Sequence, residues 1–254
     1  MILDQFNLEG RVALVTGAGR GLGQAMALAL AEAGADVAGL DRSDGAATTE
    51  AVQALDRRYY HLSVDLLQAG VADLTAIVDQ ITATLGRLDI LVNNAGIIRR
   101  TPALEFTEAD WDDVQQVNLK TVFFLSQAAA KVMVQQGGGK IINIVSMLSF
   151  QGGVTVPSYT SAKSGLAGLT RALANEWAGY NINVNAIAPG YMATDNTAAL
   201  QADEQRSASI LSRIPAGRWG TPEDLKGVAV FLASDAARYM QGAIVPVDGG
   251  WLSR

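Results

Sequence analysis

The chain alternates short apolar runs with longer stretches in which apolar residues recur at helical spacing. The apolar runs predict seven strands, at Val12–Thr16, Asp36–Leu40, His61–Val64, Ile90–Asn93, Lys140–Val145, Asn183–Ile187 and Ala243–Val247. The stretches between them predict helices, one running from the first strand's turn through Ala33 and others at Val71–Leu85, Glu108–Gln135, Ser158–Ala178 and Pro222–Ser234. Strands that are apolar on both faces and separated by helices are typical of a covered parallel sheet. With right-handed crossovers, this order predicts an α/β fold, a single-domain Rossmann doubly wound parallel sheet of about seven strands with helices on both faces.

Length and composition indicate one soluble domain. The sequence has 254 residues, no cysteine and a net charge of −6. No linker, repeat or low-complexity tract divides it, so we expect one domain over residues 1–254. The acidic balance disfavours nucleic acid as a partner, and no apolar stretch is long enough for a membrane span. The N-terminus lacks the features of a signal peptide, and a cysteine-free chain suits a reducing compartment, so we expect a cytoplasmic protein.

A glycine-rich turn follows the first predicted strand directly and reads TGAGRGLG from Thr16 to Gly23. Glycines let the chain turn sharply and let backbone N–H groups approach a pyrophosphate, and the following helix directs its N-terminal dipole at the anion. Tight strand–helix turns also use glycine for steric reasons alone. The position between the first strand and the first helix favours a dinucleotide site.

The end of the second predicted strand bears on which dinucleotide is bound. Asp41 lies 24 residues after Gly17, where a carboxylate accepts hydrogen bonds from the adenosine ribose and repels a 2′-phosphate. A solvated loop aspartate is the alternative interpretation. Arg20 in the turn and Arg42 beside the acid are each able to reach a phosphate. The pattern therefore predicts NAD as cofactor, with NADP possible.

Further motifs appear in a fixed order after these. They are the NNAG sequence that begins at Asn93, then Ser146, then Tyr159 and Lys163 at a spacing of four, and then Pro189-Gly190 followed by Thr194. In this order and over nearly the whole chain, they resemble the short-chain dehydrogenase/reductase family. The resemblance implies a Rossmann-type fold and hydride exchange between a nicotinamide and a secondary alcohol or ketone.

The resemblance also implies roles for individual residues. It implies that Asn118 is a fourth catalytic residue beside Ser146, Tyr159 and Lys163, anchoring a water on a proton path from Lys163. It implies that Lys163 also holds the nicotinamide ribose. The residues that it implies for cofactor binding, together with the turn and Asp41, are Gly17, Arg20, Gly21, Leu22, Gly23, Asp41, Asp65, Leu66, Asn93, Ala95, Gly96, Tyr159, Lys163, Pro189, Gly190, Met192 and Thr194.

The chemistry of the Tyr159 and Lys163 pair follows from their spacing. Four residues apart on a helix, they share one face. A free phenol has a pKa near 10, and a nearby cation stabilises the phenolate, so Lys163 with the nicotinamide cation is expected to lower that pKa. Such a pair alone is more often an ordinary helix surface pair. After Ser146, which would hold the substrate oxygen, it predicts that Tyr159 is the acid/base.

Several segments are similar to a branch of the family that acts on deoxy sugar acids in uronic-acid breakdown. They are IIRR at 97–100, SMLSFQGG at 146–153 and RIPAGRWG at 213–220. Arg99 and Arg100 are candidate ligands for a sugar-acid carboxylate, although pairing with acids such as Glu105 or Glu108 is an equal alternative. Ser146, Tyr159, Met147 and Gln151 complete the predicted substrate site.

Two features concern access and assembly. Residues 191–219 interrupt the alternation and predict a lid over the substrate. The long helices are too apolar for one buried stripe each, and the resemblance implies a homotetramer.

The sequence is also compatible with two other functions. A short-chain reductase of another ketone, such as a 3-ketoacyl thioester, a polyol or another sugar, keeps the same motifs. A dinucleotide-sensing module without catalysis keeps the fold, but we expect it to lack Tyr159, Lys163 or Ser146. The only histidine, His61, lies in a predicted strand, and no cluster has metal-ligand spacing, so we expect no metal.

Overall fold

A computed structural model describes residues 1–254, except for the side chain of Asn196. Seven strands form one parallel sheet in the order β3-β2-β1-β4-β5-β6-β7. The strands are β1 (Val12–Thr16), β2 (Asp36–Asp41), β3 (Tyr59–Ser63), β4 (Ile90–Asn93), β5 (Gly139–Ile144), β6 (Ile182–Pro189) and β7 (Ile244–Val247). The predicted doubly wound, single-sheet fold is therefore confirmed.

Nine α-helices connect and cover the strands in the part of the chain that the structure describes. They are α1 (Gly21–Glu32), α2 (Ala46–Gln53), α3 (Val71–Leu85), α4 (Glu108–Gln115), α5 (Thr121–Gln135), α6 (Pro157–Trp177), α7 (Ala198–Ala202), α8 (Glu204–Leu211) and α9 (Lys226–Ala233). None of these helices combines the length and the apolar content needed to cross a bilayer.

The core lies in two layers because successive residues of a strand face opposite sides of the sheet. In β1, Val12 and Leu14 pack with α3 and α5, whereas Ala13 and Val15 pack with α1 and α9. Both sets are almost fully buried. This two-sided burial explains why the strands are continuous apolar runs rather than alternating ones.

Some predicted boundaries were wrong for identifiable reasons. β3 begins at Tyr59, two residues earlier than predicted, because Tyr59 and Tyr60 pair in register with β2. The helix α2 was missed because only Thr48 and Val52 of it are buried, which leaves little apolar periodicity. The predicted helix at Pro222–Ser234 begins as a 3₁₀ turn before α9.

The predicted single helix Glu108–Gln135 is in fact two α-helices. A π-helical turn at Gln116–Lys120 separates α4 from α5, and Asn118 lies within this turn. Apolar periodicity does not reveal such a turn, because one inserted residue leaves both flanking segments helical.

The strand order places a cleft at the carboxyl end of the parallel strands. It reverses between β1 and β4, so the connections that leave these two strands diverge and open a crevice outside their carboxyl ends. The residues that follow β1, β4, β5 and β6 therefore meet at this end of the strands.

At the other end of the strands, their amino ends, the sheet is stabilised by Asp89. This residue lies just before β4 and is 4% exposed. Its Oδ2 accepts a hydrogen bond from the Val12 N–H at 2.9 Å. Arg87 binds both carboxylate oxygens, at 2.7 and 2.6 Å, and Arg11 binds Oδ1 at 3.2 Å. Asp89 thereby ties the start of β1 to the start of β4 at the centre of the sheet.

We predict that Asp89→Ala lowers the free energy of unfolding by about 2–4 kcal/mol. The substitution leaves a buried backbone N–H and two guanidinium groups without their shared acceptor. Urea denaturation at fixed protein concentration measures the loss. Glu9→Ala, which removes only the exposed ion pair with Arg57, is the control and should cost less than about 1 kcal/mol. Equal losses for the two variants would contradict this role.

Candidate active site

The glycine-rich turn forms one wall of the cleft. Gly17 has a φ of +69°, a conformation that favours glycine. A Cβ on Gly23 would overlap the carbonyl oxygen of Gly17, so only glycine lets α1 begin this close to the turn. The first residues of α1, Gly21 to Gly23, line the cleft, where backbone N–H groups at a helix N-terminus suit a pyrophosphate.

Asp41 forms the neighbouring rim. Its Oδ2 accepts from the Gly19 N–H at 3.0 Å, and its Oδ1 accepts from the N–H and the hydroxyl of Ser43, each at 3.0 Å. Burial opposes the charged form, but the hydrogen bonds from Ser43, Gly19 and Arg42 outweigh it and lower the pKa of Asp41. The rim therefore carries a fixed negative charge at neutral pH.

One cleft of about 420 Å³ brings together most of the predicted site residues. It is lined by Gly17, Arg20, Gly21, Leu22, Gly23, Asp41, Asp65, Leu66, Ala95, Gly96, Arg99, Arg100, Ser146, Met147, Tyr159, Lys163, Pro189, Gly190, Met192 and Thr194. Asp41 ends β2 and the turn follows β1, whereas Ser146, hydrogen-bonded to Tyr159, follows β5, so the two groups lie at different ends of the cleft.

Ser146, Tyr159 and Lys163 meet at the second end. Ser146 follows β5 and caps a short 3₁₀ turn, its hydroxyl accepting from the Leu148 N–H at 3.1 Å. Tyr159 and Lys163 lie one turn apart on α6, with Lys163 Nζ 5.7 Å from the centre of the phenol ring. Lys163 is 3% exposed, and its Nζ donates to the Ile144 carbonyl oxygen at 2.6 Å. The predicted shared face of the helix is confirmed.

Burial dominates the protonation of this group in the chain alone. Burial raises the pKa of the Tyr159 phenol, while its hydrogen bond with Ser146 and the charge of Arg100 act in the opposite direction. Burial lowers the pKa of Lys163 to about 8. In the chain alone, loss of solvent around the phenol outweighs the neighbouring charges. The lowering of the phenol pKa by Lys163 together with the nicotinamide cation stays a prediction.

Asn118 lies behind this group rather than in the cleft lining. Its Nδ2 donates to the Ile97 carbonyl oxygen at 2.8 Å, and its Oδ1 accepts from the Ile97 N–H at 2.9 Å. A Cβ on Gly96 would lie 3.3 Å from Asn118 Oδ1 and 3.7 Å from Lys163 Nζ. The π-helical turn therefore brings Asn118 beside the backbone that borders Lys163.

Two predicted lining residues lie elsewhere among the side chains that the structure describes. Asn93 does not line the cleft, since its Nδ2 donates to Ser126 at 3.0 Å and to Asn143 at 2.9 Å inside the core. Gln151 also lies outside the lining, in the loop before α6. The Asn93 side chain faces the core because it pairs with Asn143, its register partner on β5, and its contact with the cofactor stays a prediction.

Two adjacent arginines, Arg99 and Arg100, line the cleft. Arg99 is held by α4, with Nε 3.1 Å from Asp110 Oδ1 and one terminal nitrogen 3.1 Å from Asp113 Oδ2. The acids are thus Asp110 and Asp113, which share a helix face, rather than Glu105 or Glu108. Arg100 acts electrostatically on Tyr159 and so is close enough to influence the reacting end.

Two of the lining residues that were not predicted from the sequence shape the cleft through their polar contacts. The side chain of Asn94 donates to the Thr16 carbonyl oxygen at 2.9 Å and the Gly17 carbonyl oxygen at 3.3 Å, which fixes the turn. Asp195 lines the cleft and pairs with Arg20 at 2.7 Å. The position of Asn94 beside the motif's Asn93 was a usable signal, whereas nothing local indicated Asp195.

The fold and the cleft together define a dinucleotide-dependent oxidoreductase. A family profile described as enoyl-(acyl carrier protein) reductase matches residues 17–252. A 2-dehydro-3-deoxy-D-gluconate 5-dehydrogenase of Escherichia coli strain K12 is 62% identical over the full length of both chains. The chain belongs to the short-chain dehydrogenase/reductase family, as its motifs predicted, and the similarity extends to the predicted branch.

Two solved structures are also similar. One is a provisionally assigned 2-deoxy-D-gluconate 3-dehydrogenase from Agrobacterium tumefaciens with bound NADP, 55% identical, with a TM-score of 0.92 and coverage of 99% of this chain and 100% of that one. The other is a gluconate 5-dehydrogenase from Burkholderia cenocepacia J2315 in complex with NADP and tartrate, 41% identical, with a TM-score of 0.95 and full coverage of both chains.

Proposed function

We propose that the chain interconverts a secondary alcohol and a ketone on a deoxy sugar acid, the reaction named for its 62% identical relative. The observation that carries the proposal is the convergence of Ser146, Tyr159 and Lys163 at one end of a dinucleotide-shaped cleft, with Arg99 and Arg100 beside them. The glycine-rich turn at Gly17–Gly23 and Asp41 line the other end.

Tyr159 is the proton-transferring residue in this proposal. In the direction of reduction its phenol O–H gives a proton to the substrate oxygen, and in oxidation the phenolate takes that proton back. The raised pKa keeps the phenol protonated in the chain alone, which suits the acid role. Ser146 donates its hydroxyl hydrogen to the same substrate oxygen and fixes it near the phenol.

Lys163 and Asn118 support this transfer. With a pKa of about 8, the Lys163 ammonium gives up a proton more readily than an exposed lysine does. It lies beside the Gly96–Ile97 backbone that Asn118 fixes with two hydrogen bonds. In the proposal Lys163 resupplies Tyr159 with protons and Asn118 holds the path in place.

The residues of the cleft fit a nicotinamide dinucleotide. Asp41 would hold the adenosine ribose, the Gly17–Gly23 turn the pyrophosphate, and Lys163 the nicotinamide ribose. Asp65 and Leu66 would border the adenine, and Pro189, Gly190, Met192 and Thr194 the nicotinamide. The bound nicotinamide supplies or accepts the hydride. The charge of Asp41 favours NAD, and NADP, present in two similar structures, is the alternative.

Arg100 is the residue that we propose for the substrate carboxylate. Both arginines line the cleft. Asp110 and Asp113 hold Arg99 against α4, and Arg100 acts electrostatically on Tyr159 at the reacting end. A bidentate guanidinium–carboxylate pair would orient the acid end of the sugar. Met147, which also lines the cleft, would form part of the wall.

Residues 191–219 are proposed as the lid. Tyr191, Met192, Thr194 and Leu200 of this segment line the cleft. The Tyr191 ring packs edge-on against Trp219 at 5.5 Å and against Trp251 at 4.9 Å between ring centres. These contacts join the two ends of the segment to each other and join Tyr191 to Trp251, while most of α8 between them is exposed. Movement of that middle part would admit the sugar acid.

We also propose a cytoplasmic homotetramer. The helices α5 and α6 leave Phe123, Phe124, Leu169 and Trp177 only partly buried in the single chain. Apolar side chains on two adjacent long helices suit burial against a second copy. Light scattering coupled to size-exclusion chromatography measures the assembly, and a monomer would overturn it.

The proposed reaction is tested with the purified protein, reduced cofactor and 2,5-diketo-3-deoxygluconate. We expect NADH or NADPH to be oxidised, and 3-ketoacyl thioesters and polyol-derived ketones to react much more slowly. Faster turnover of one of those ketones would replace the substrate and leave the chemistry intact. Cofactor binding without turnover of any ketone would favour a sensing module.

A further inference from the structure

An ion pair joins the two rims of the cofactor cleft. Arg20, in the glycine-rich turn, lies 2.7 Å from Asp195 Oδ2, in the segment that follows β6. The residues are far apart in sequence, and both line the cleft. Their side chains are 76% and 73% exposed, so the pair contributes little to stability. Its effect is therefore expected on what the cleft binds.

The position of Arg20 allows its side chain a second partner besides Asp195, namely a phosphate on the adenosine ribose. The preceding residue, Gly19, donates its N–H to Asp41, and a Cβ on Gly19 would lie 3.0 Å from the Asp41 carboxyl carbon. Arg20 thus begins next to the rim that would hold the adenosine ribose, although its guanidinium points to Asp195. A long, flexible side chain so placed can serve Asp195 or a phosphate on the ribose, but not both fully.

We propose that Asp195 determines cofactor specificity by holding Arg20 away from the ribose rim. A ribose 2′-phosphate needs a countercharge beside the fixed negative charge of Asp41. If Arg20 pairs with that phosphate, Asp195 loses its ion-pair partner while it lies next to an anionic ligand. The resulting cost falls on NADPH and not on NADH. This inference rests on the proposed cofactor function of the cleft.

The test compares four variants by binding alone. Dissociation constants for NADH and NADPH are measured by fluorescence titration of the wild type, Asp195→Asn, Arg20→Gln and the double variant. We expect Asp195→Asn to tighten NADPH binding about three- to fivefold while NADH binding changes less than about twofold. In the Arg20→Gln background the same substitution should have no effect on the ratio. Arg42 is unchanged throughout, so its contribution cancels.

Glu204→Gln is the matched control, because Glu204 is an exposed carboxylate on the same segment that does not line the cleft. It removes the same charge and should leave both constants unchanged. Equal shifts for NADH and NADPH in Asp195→Asn would overturn the inference, as would a shift that persists without Arg20. A wild type that binds neither dinucleotide would instead overturn the proposed function.

Discussion

Replacing Tyr159 by phenylalanine should lower kcat by about 10³-fold, or roughly 4 kcal/mol of transition-state stabilisation. The variant keeps the ring on α6 and removes only the hydroxyl that exchanges a proton with the substrate. The dissociation constant for NADH should change little, because the glycine-rich turn and the Asp41 rim lie at the other end of the cleft. Steady-state kinetics with the diketo acid, beside a cofactor titration, measures both quantities.

Tyr239→Phe is the matched control, since Tyr239 is fully exposed and does not line the cleft. It should leave kcat unchanged. If Tyr159→Phe retained more than about a tenth of the wild-type rate, another group would have to transfer the proton. A lost rate together with lost cofactor binding would indicate a disturbed fold rather than missing chemistry.

Arg100→Ala should reduce kcat/KM for the sugar acid by about 10- to 150-fold, mainly through KM. The substitution removes charge-assisted hydrogen bonds to the carboxylate. It also removes a positive charge that lowers the pKa of Tyr159, so that pKa should rise further. Because oxidation requires the phenolate, the alkaline rise in oxidative kcat should shift to higher pH. Kinetics across a pH series measures both effects.

Arg99→Ala provides the comparison, because Arg99 is held by Asp110 and Asp113. We expect a change of less than about fivefold and no shift in the pH profile. A methyl ester of the substrate separates the roles further, since it should bind equally to wild type and Arg100→Ala. Equal losses in the two arginine variants would indicate a general effect of charge on the rim.

Features encoded by adjacent residues were predictable from the sequence. The strand–turn–helix at Gly17–Gly23 and the Tyr159–Lys163 spacing both depend on local geometry, and both take the expected form. The parallel sheet followed from strands that are apolar on both faces.

Features that depend on packing were not predictable. Asn93 lies in a conspicuous motif, but its register partner Asn143 turns its side chain into the core. The pKa of Tyr159 depends on burial, which the spacing of two residues does not report. The pairing of Arg20 with Asp195 spans most of the chain and has no local signal.

The turn at Gln116–Lys120 has a consequence for how this region can vary. A π-helical turn holds one residue more than an α-helical turn, and one residue corresponds to about 100° of rotation. The extra residue therefore rotates the side-chain directions of α5 relative to those of α4, without a change in the direction of the helix axis. Asn118 can face Ile97 while Leu125, further along, still faces the sheet. Deleting a single residue here would make α4 and α5 one regular α-helix. In that helix either Asn118 would face Ile97 or Leu125 would face the sheet, but not both.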